Sequence, residues 1–292
     1  MLDFIKTDNS YYLVFEYFPM NLTQYYQFYR GLSQRKLPQR QVEKIMTQIS
    51  AGLAYLHGKG IMHRDIKPEN VMVDPSTLTV KLIDFGFAKH TKLQPHTDYM
   101  VTRWYRPLEV VLGCNYDEKV DVFAAAAVYL EMLEGEETFQ SESNMDQLHI
   151  LLRICGHPRK DSVTYRALEK MGVVECGGEA EWPASLGRID PVLKDLLKSM
   201  LSNSPEERPS ITKLLEYLQS SPEERRERAN SSSKRRSRSA ANGLSLVSMR
   251  AKSKGKVIRG RALAAEAKGQ LGKLEEEEPT ESELTGAYHI VG

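Results

Sequence analysis

Apolar positions follow two rhythms along roughly the first 220 residues. From 11 to 17 the run Tyr-Tyr-Leu-Val-Phe-Glu-Tyr is aromatic and β-branched, which predicts a strand closed by Pro19 and Asn21. Val42, Ile45, Met46, Ile49, Leu53 and Leu56 then recur at steps of three and four. That stripe belongs to a helix with one apolar face, and Gly58-Lys59-Gly60 stops it. Val71-Met72-Val73 and Val80-Lys81-Leu82-Ile83 read as short strands around the turn cluster Asp74-Pro75-Ser76-Thr77. Helices are predicted over 117–134 and 144–155. Asp190 followed by Pro191 opens another over 192–201, and Ser210 is placed to cap a last one over 211–218. The order is strand, helix, two strands, then helices, without the alternation of a parallel sheet and without an internal repeat.

The composition changes after about residue 221. Residues 221–273 hold 15 Lys and Arg against 4 Glu, or +11, and residues 274–292 hold 6 Glu and no Lys or Arg, or −6. With a net charge of +1 for the whole chain, residues 1–220 carry −4. Single-sign blocks with few aromatics, such as 231–238 and 275–278, cannot bury enough surface to offset their ordering entropy. The tail is therefore expected to be disordered, apart from a short helix over 261–274. No apolar run approaches the ~20 residues of a membrane-spanning helix. No signal peptide is visible at the N-terminus. Cys114, Cys155 and Cys176 are too few and too far apart for a disulfide framework or a zinc pattern, so a reducing compartment is expected.

The densest chemistry lies at His63-Arg64-Asp65-Ile66-Lys67-Pro68-Glu69-Asn70, with Asp84-Phe85-Gly86 fourteen residues after Asn70. These stretches resemble the catalytic loop and the metal-binding triplet of eukaryotic protein kinases. The residue types suit phosphoryl transfer, which needs positioning and charge stabilisation more than covalent help. The resemblance implies that Asp65 orients the attacking hydroxyl and takes its proton, and that Lys67 reaches the transferred phosphate. It makes Asn70 and Asp84 the ligands of Mg²⁺, a hard cation that prefers oxygen donors. ATP and Mg²⁺ are the implied cofactors, and protein Ser or Thr hydroxyls the implied acceptors. Thr102 is expected to bridge Asp65 and Lys67, a mark of Ser/Thr specificity.

The resemblance extends on both sides. Leu13-Val14-Phe15-Glu16-Tyr17 is similar to the hinge strand that holds adenine, with Phe15 as gatekeeper and backbone groups of Glu16 and Phe18 offered to the base. Asp121-Val122-Phe123 resembles an Asp-Val-Trp whose Asp holds the catalytic loop from below. Arg208 resembles a late Arg that pairs with the Glu closing the activation segment, here Glu109. Thr97-Asp98-Tyr99, Thr102-Arg103-Trp104-Tyr105-Arg106, Phe87-Ala88-Lys89 and Asp146-Gln147-Leu148 resemble the CMGC group, above all its cyclin-dependent-kinase-like and mitogen-activated families. This implies that an upstream kinase phosphorylates Thr97 and Tyr99. Arg64 and Lys89 would pair with phospho-Thr97, and Arg103 and Arg106 with phospho-Tyr99.

The implied fold is α+β and protein-kinase-like. The kinase domain is expected over 1–218, as small-lobe strands and hinge (1–18) and a helical large lobe (19–218), with a disordered basic and then acidic tail over 219–292. The first six residues resemble the fourth small-lobe strand, so the resemblance begins partway through the family's domain. The chain holds no Gly-x-Gly-x-x-Gly loop and no Val-Ala-Ile-Lys context, and Lys6 is the single Lys before the hinge. Pro107-Leu108-Glu109 stands where the family has Ala-Pro-Glu, and Phe123-Ala124-Ala125-Ala126 where it has Trp-Ser-x-Gly. Two readings stay open: a truncated chain of an active Ser/Thr kinase, and a kinase-like module that docks partners without catalysis. The chain alone is expected to bind ATP weakly, to transfer phosphate slowly or not at all, and to self-associate through the open hairpin edge. The run between Lys234 and Arg238 reads as a nuclear-import signal or as a merely solvated tail, and a cytoplasmic or nuclear protein without membrane contact is expected from the cysteine usage and the lack of a long apolar run. Nucleic-acid binding is not expected, since the tail has no aromatic residue for base stacking before Tyr288.

Overall fold

A computed structural model describes residues 2–8, 10–33, 36–92, 102–173, 180–221 and 223–227. In chain order the elements are β1 (Asp3–Lys6), β2 (Tyr11–Val14), β3 (Met20–Asn21), α1 (Leu22–Ser33), α2 (Gln39–Gly58), β4 (Ile61–Met62), β5 (Val71–Asp74), β6 (Thr79–Leu82) and β7 (Lys89–His90). They continue as α3 (Leu108–Val111), α4 (Lys119–Glu134), α5 (Asn144–Cys155), α6 (Val163–Lys170), α7 (Pro191–Met200) and α8 (Ile211–Gln219). Thr97, Tyr99, Cys176, the run at 234–238 and the helix expected over 261–274 lie outside the described residues.

The core forms around α2 and α4. Val42, Ile45, Met46, Ile49 and Leu53 bury the predicted stripe of α2 against α4, α8 and β6. Each such side chain contributes about 1.5–3 kcal/mol on leaving water. At Gly52 a Cβ would meet Leu82 Cδ1 at 3.1 Å, so a glycine lets β6 lie close to α2. In α4 every residue from Val120 to Met132 is buried. A helix that is apolar all round is a core helix, and Ala124 to Ala127 keep it slim enough for α2 and α7 to pack beside it. Asp190 caps α7 as its sequence predicts, accepting from Val192 N at 2.8 Å and Leu193 N at 3.2 Å. Ser210 does not cap α8: its hydroxyl pairs with Thr212 Oγ1 instead.

Three further features depart from the sequence reading. The strand expected over 11–17 stops at Val14, because its antiparallel partner runs only from Asp3 to Lys6, with Asp3 opposite Val14. α1 was not expected. Its start is a reciprocal cap, Asn21 N on Gln24 Oε1 and Gln24 N on Asn21 Oδ1, both at 2.9 Å, and the Asn-x-x-Gln spacing is its sequence signal. The packed structure also runs past 219, into the tail region. Residues 223–227 are helical, with Ser221 and Glu224 capping each other's backbone N–H groups. Arg225 holds this turn on the lobe through Glu43 at 2.9 Å, the Leu218 carbonyl at 2.8 Å and the Tyr217 ring.

Candidate active site

The catalytic loop hangs between β4 and β5, and α4 fixes it from below. Asp121 accepts the backbone N–H of His63 on Oδ2 at 2.9 Å and that of Arg64 on Oδ1 at 2.8 Å, and His57 Nε2 also meets Oδ2 at 2.9 Å. These bonds hold Arg64 at φ 67°, a left-handed conformation that costs a non-glycine residue about 1–2 kcal/mol. Asp65 is buried. Its Oδ2 receives Lys67 Nζ at 3.1 Å and Asn70 Nδ2 at 2.6 Å, and Asn70 Nδ2 also reaches the Asp65 carbonyl at 2.9 Å. Burial raises the Asp65 pKa, while Lys67 and Asn70 oppose the shift.

The Asp84 triplet is tied to this loop through main chain. Ile83 N donates to the Asn70 carbonyl at 3.0 Å, and His63 Nε2 meets the Ile83 carbonyl at 3.1 Å. His63 Nδ1 faces the Asp65 N–H at 3.3 Å, so the proton belongs on Nε2. Burial lowers the His63 pKa, against the pull of Asp121 and the Ile83 carbonyl. Asp84 is exposed and left-handed at φ 62°, with Oδ1 receiving Gly86 N at 3.1 Å. A Cβ at Gly86 would sit 3.1 Å from that oxygen, so a larger residue would press on the carboxylate. Phe85 packs tilted against His63, with ring centroids 4.9 Å apart, and stays 49% exposed.

The donor set fits magnesium. Asn70 spends its amide nitrogen on Asp65 and leaves its oxygen without a partner among the described residues, and Asp84 adds a solvent-facing carboxylate. No cluster of three or more His, Cys, Asp or Glu gathers to hold a metal among the described residues. Mg²⁺ suits such a sparse set, because it keeps several waters and takes further ligands from phosphates.

The flanking segments converge on the same lobe. Thr102 lines a narrow cavity with Asp65, Tyr105 and Pro107, yet it bonds to neither Asp65 nor Lys67 among the described residues. The expected bridge is replaced by the direct Lys67–Asp65 contact. Glu109 and Arg208 form a bidentate pair at 2.5 and 2.7 Å with both side chains 0% exposed. Arg208 also lies over the Phe123 ring at 5.1 Å. Arg64 reaches the Phe87 carbonyl at 2.6 Å and the Tyr116 hydroxyl at 2.8 Å. Arg103 donates to the Glu142 carbonyl at 3.3 Å, Arg106 lines the same cavity as Asp65, and Lys89 lies in β7 opposite Met62. Phe15 is 60% exposed, and among the described residues no hydrogen bond engages Phe15, Glu16 or Phe18. Pairing of Met20 with Val73 sets that stretch beside the strand leaving Asn70.

A family model for the protein kinase domain matches residues 1–218. The chain belongs to the protein kinase family. Its relatives place it in the CMGC group. It is 35% identical over 225 residues to cyclin-dependent kinase-like 2 of Oryctolagus cuniculus, covering 74% of this chain and 39% of that protein. It is 33% identical over 214 residues to cyclin-dependent kinase B2-2 of Arabidopsis thaliana, covering 70% of this chain and 66% of the relative. It is 34% identical over 213 residues to cyclin-dependent kinase 1 of Encephalitozoon cuniculi (strain GB-M1), covering 70% of each. The chain thus spans less than two thirds of the first two relatives.

In this kinase lobe several contributors escape sequence reasoning. His57 and Tyr116 touch Asp121 and Arg64 from positions 64 and 52 residues away, and neither belongs to a local motif. Leu108, where the family has Pro, is buried at the start of α3 and leaves the Glu109–Arg208 pair formed.

Proposed function

We propose that this chain carries the transfer machinery of a CMGC-type Ser/Thr protein kinase that moves the ATP γ-phosphate to a protein hydroxyl. One observation supports the reading above the others. Asp65 is buried with Oδ2 shared by Lys67 and Asn70, which leaves Oδ1 for an incoming hydroxyl. Asp65 orients that hydroxyl and accepts its proton, and burial makes it a better base by raising its proton affinity. Lys67, 3.1 Å from Asp65, offsets charge between the base and the arriving phosphate. Asn70 and Asp84 are the residues that would hold magnesium, which when bound neutralises phosphate charge. The main chain of Glu16 and Phe18, without a hydrogen-bond partner among the described residues, offers the adenine edge a donor and an acceptor.

The test is phosphate transfer from labelled ATP with magnesium to a mixed protein substrate. The 292-residue chain is assayed beside the same chain joined to an upstream small lobe with a Gly-rich loop and its Lys. Transfer by the extended form supports the reading. Transfer by neither form favours the second reading, a kinase-like binding module, which the lack of a Gly-x-Gly-x-x-Gly loop in these 292 residues motivates.

Asp84→Asn should weaken magnesium-dependent nucleotide binding by no less than the roughly 10–100-fold that removing even an outer-shell partner costs a metal site. Titrations with and without magnesium check it, and identical curves for both proteins would end the metal assignment. Thr97 and Tyr99 should carry phosphate in the active form, as substrates of an upstream kinase. The motive is the family resemblance, by which Arg64, Lys89, Arg103 and Arg106 would face the phosphates on this loop. Mass spectrometry that finds both hydroxyls bare in active protein would count against it.

A further inference from the structure

The far end of α4 opens onto a cavity of about 140 Å³ that the transfer chemistry leaves unused. One water needs ~10–15 Å³, so this space has room for a side chain. Glu134 closes α4 there, about 20 Å along the helix from Asp121. Both its oxygens are taken, Oε1 by Ser185 N at 3.0 Å and Oε2 by Lys36 Nζ at 3.1 Å. Ser185 lines the cavity at 9% exposure, and its hydroxyl is buried near Glu134 without a hydrogen-bond partner. A ligand oxygen would recover the stability that an unpaired buried hydroxyl costs. Arg188 lines the same cavity from an exposed position, and no hydrogen bond or ion pair engages its guanidinium among the described residues. The start of α2 completes the site. Gln39 lines the cavity, no side chain caps this helix, and the N–H groups of Gln39 and Arg40 meet no acceptor among the described residues. Lys36 and Arg188 thus stand against Glu134 alone, with the partial positive charge of a 20-residue helix added.

We propose that this cavity is a carboxylate-binding site and that its occupant is the acidic block of this same chain, Glu275 to Glu278. A carboxylate entering it accepts from the Ser185 hydroxyl and the Arg188 guanidinium, both charge-assisted bonds. Its methylenes rest on Leu133 and Ile189, which form the apolar wall. Two observations favour this occupant. Residues 274–292 hold 6 Glu and no Lys or Arg, which matches the positive lining. The last described residues, 223–227, are also tied to the rim of the cavity: Glu43 takes Arg225 Nη1 on Oε2 and Gln39 Nε2 on Oε1, each at 2.9 Å. One carboxylate therefore joins the start of the tail to the wall of the site. The 46 residues from 228 to 273 span about 35–40 Å as a flexible chain, enough to bring the block back and keep it near at high local concentration. Docking here does not depend on the kinase reading, and at about 20 Å from Asp121 it leaves the catalytic loop uncovered.

The experiment is hydrogen exchange on the full 292-residue chain, read by mass spectrometry at Gln39 and Arg40. The wild type is compared with a tail variant, Glu275→Lys, Glu276→Lys, Glu277→Lys and Glu278→Lys together, and with Arg188→Glu, a change at an exposed position. Both variants should exchange about fivefold faster at these two amides, the factor that two partly exposed ion pairs contribute to a docking equilibrium. Core amides of α2 and α4 should exchange alike in every protein, which shows that the lobe stays folded. Arg188→Glu combined with the tail variant should regain part of the protection, because the charges are again opposite. High salt should abolish the protection in the wild type. Equal exchange in the wild type and the tail variant overturns the proposal, as it would if the basic residues of 221–273 held the acidic block instead. Faster exchange in the tail variant that Arg188→Glu fails to reproduce overturns the assignment to this cavity. Protection that disappears on about tenfold dilution overturns docking within one chain and points to a second copy.

Discussion

Asp65→Asn should lower turnover by about 10²–10⁴-fold, the range expected when a general base is lost from a proton transfer. The amide keeps the shape and the bonding partners of the carboxylate, but it cannot accept the hydroxyl proton. Folding should be little changed, because Asp65 is buried and its charge is opposed by desolvation in the native state. The measurement is the rate at saturating protein substrate in the extended chain, beside the unfolding midpoint of the same preparation. Turnover at the wild-type rate would remove Asp65 from the role of base. A loss of rate that tracks a loss of folded protein would assign the effect to structure instead.

Arg208→Ala should destabilise the lobe by about 3–5 kcal/mol, the cost of leaving one partner of a buried pair charged and uncompensated. Glu109 would be that partner, with its side chain 0% exposed and both oxygens bound to the guanidinium. Arg208 also donates to the Ser202 carbonyl at 2.8 Å and the Lys119 carbonyl at 3.2 Å, so three segments loosen together. Replacing both members with Leu should recover part of the loss, since an apolar pair carries no desolvation penalty. Urea unfolding with an unchanged slope reads this directly. A loss of under ~1 kcal/mol would put the pair in the range of exposed ion pairs and overturn the argument.

What sequence determines about this kinase lobe is local. The stripe from Val42 to Leu53 and the Asp190-Pro191 start are legible because a helix repeats every 3.6 residues and its cap is a neighbour in the chain. The loop from His63 to Asn70 is legible because its groups act within one short stretch, so their spacing is written in consecutive letters. The Asn-x-x-Gln start of α1 carries the same kind of signal.

Only the tertiary structure decides which distant groups share a buried charge, and where a strand ends. Periodicity marks Glu131 as one polar letter in an apolar helix, and nothing in that pattern names Tyr26, 105 residues earlier, or Tyr105, 26 residues earlier. His57 likewise becomes a support of the catalytic loop only because α2 packs against α4 and brings it to Asp121. The strand at Tyr11 stops at Val14, although its apolar letters continue, because main-chain N–H and C=O groups form a ladder only as far as a partner strand extends. A side chain's period tells which face it takes. The identity of the group across that face depends on how helices and loops pack, and burial then gives each polar contact its strength by removing the competing water.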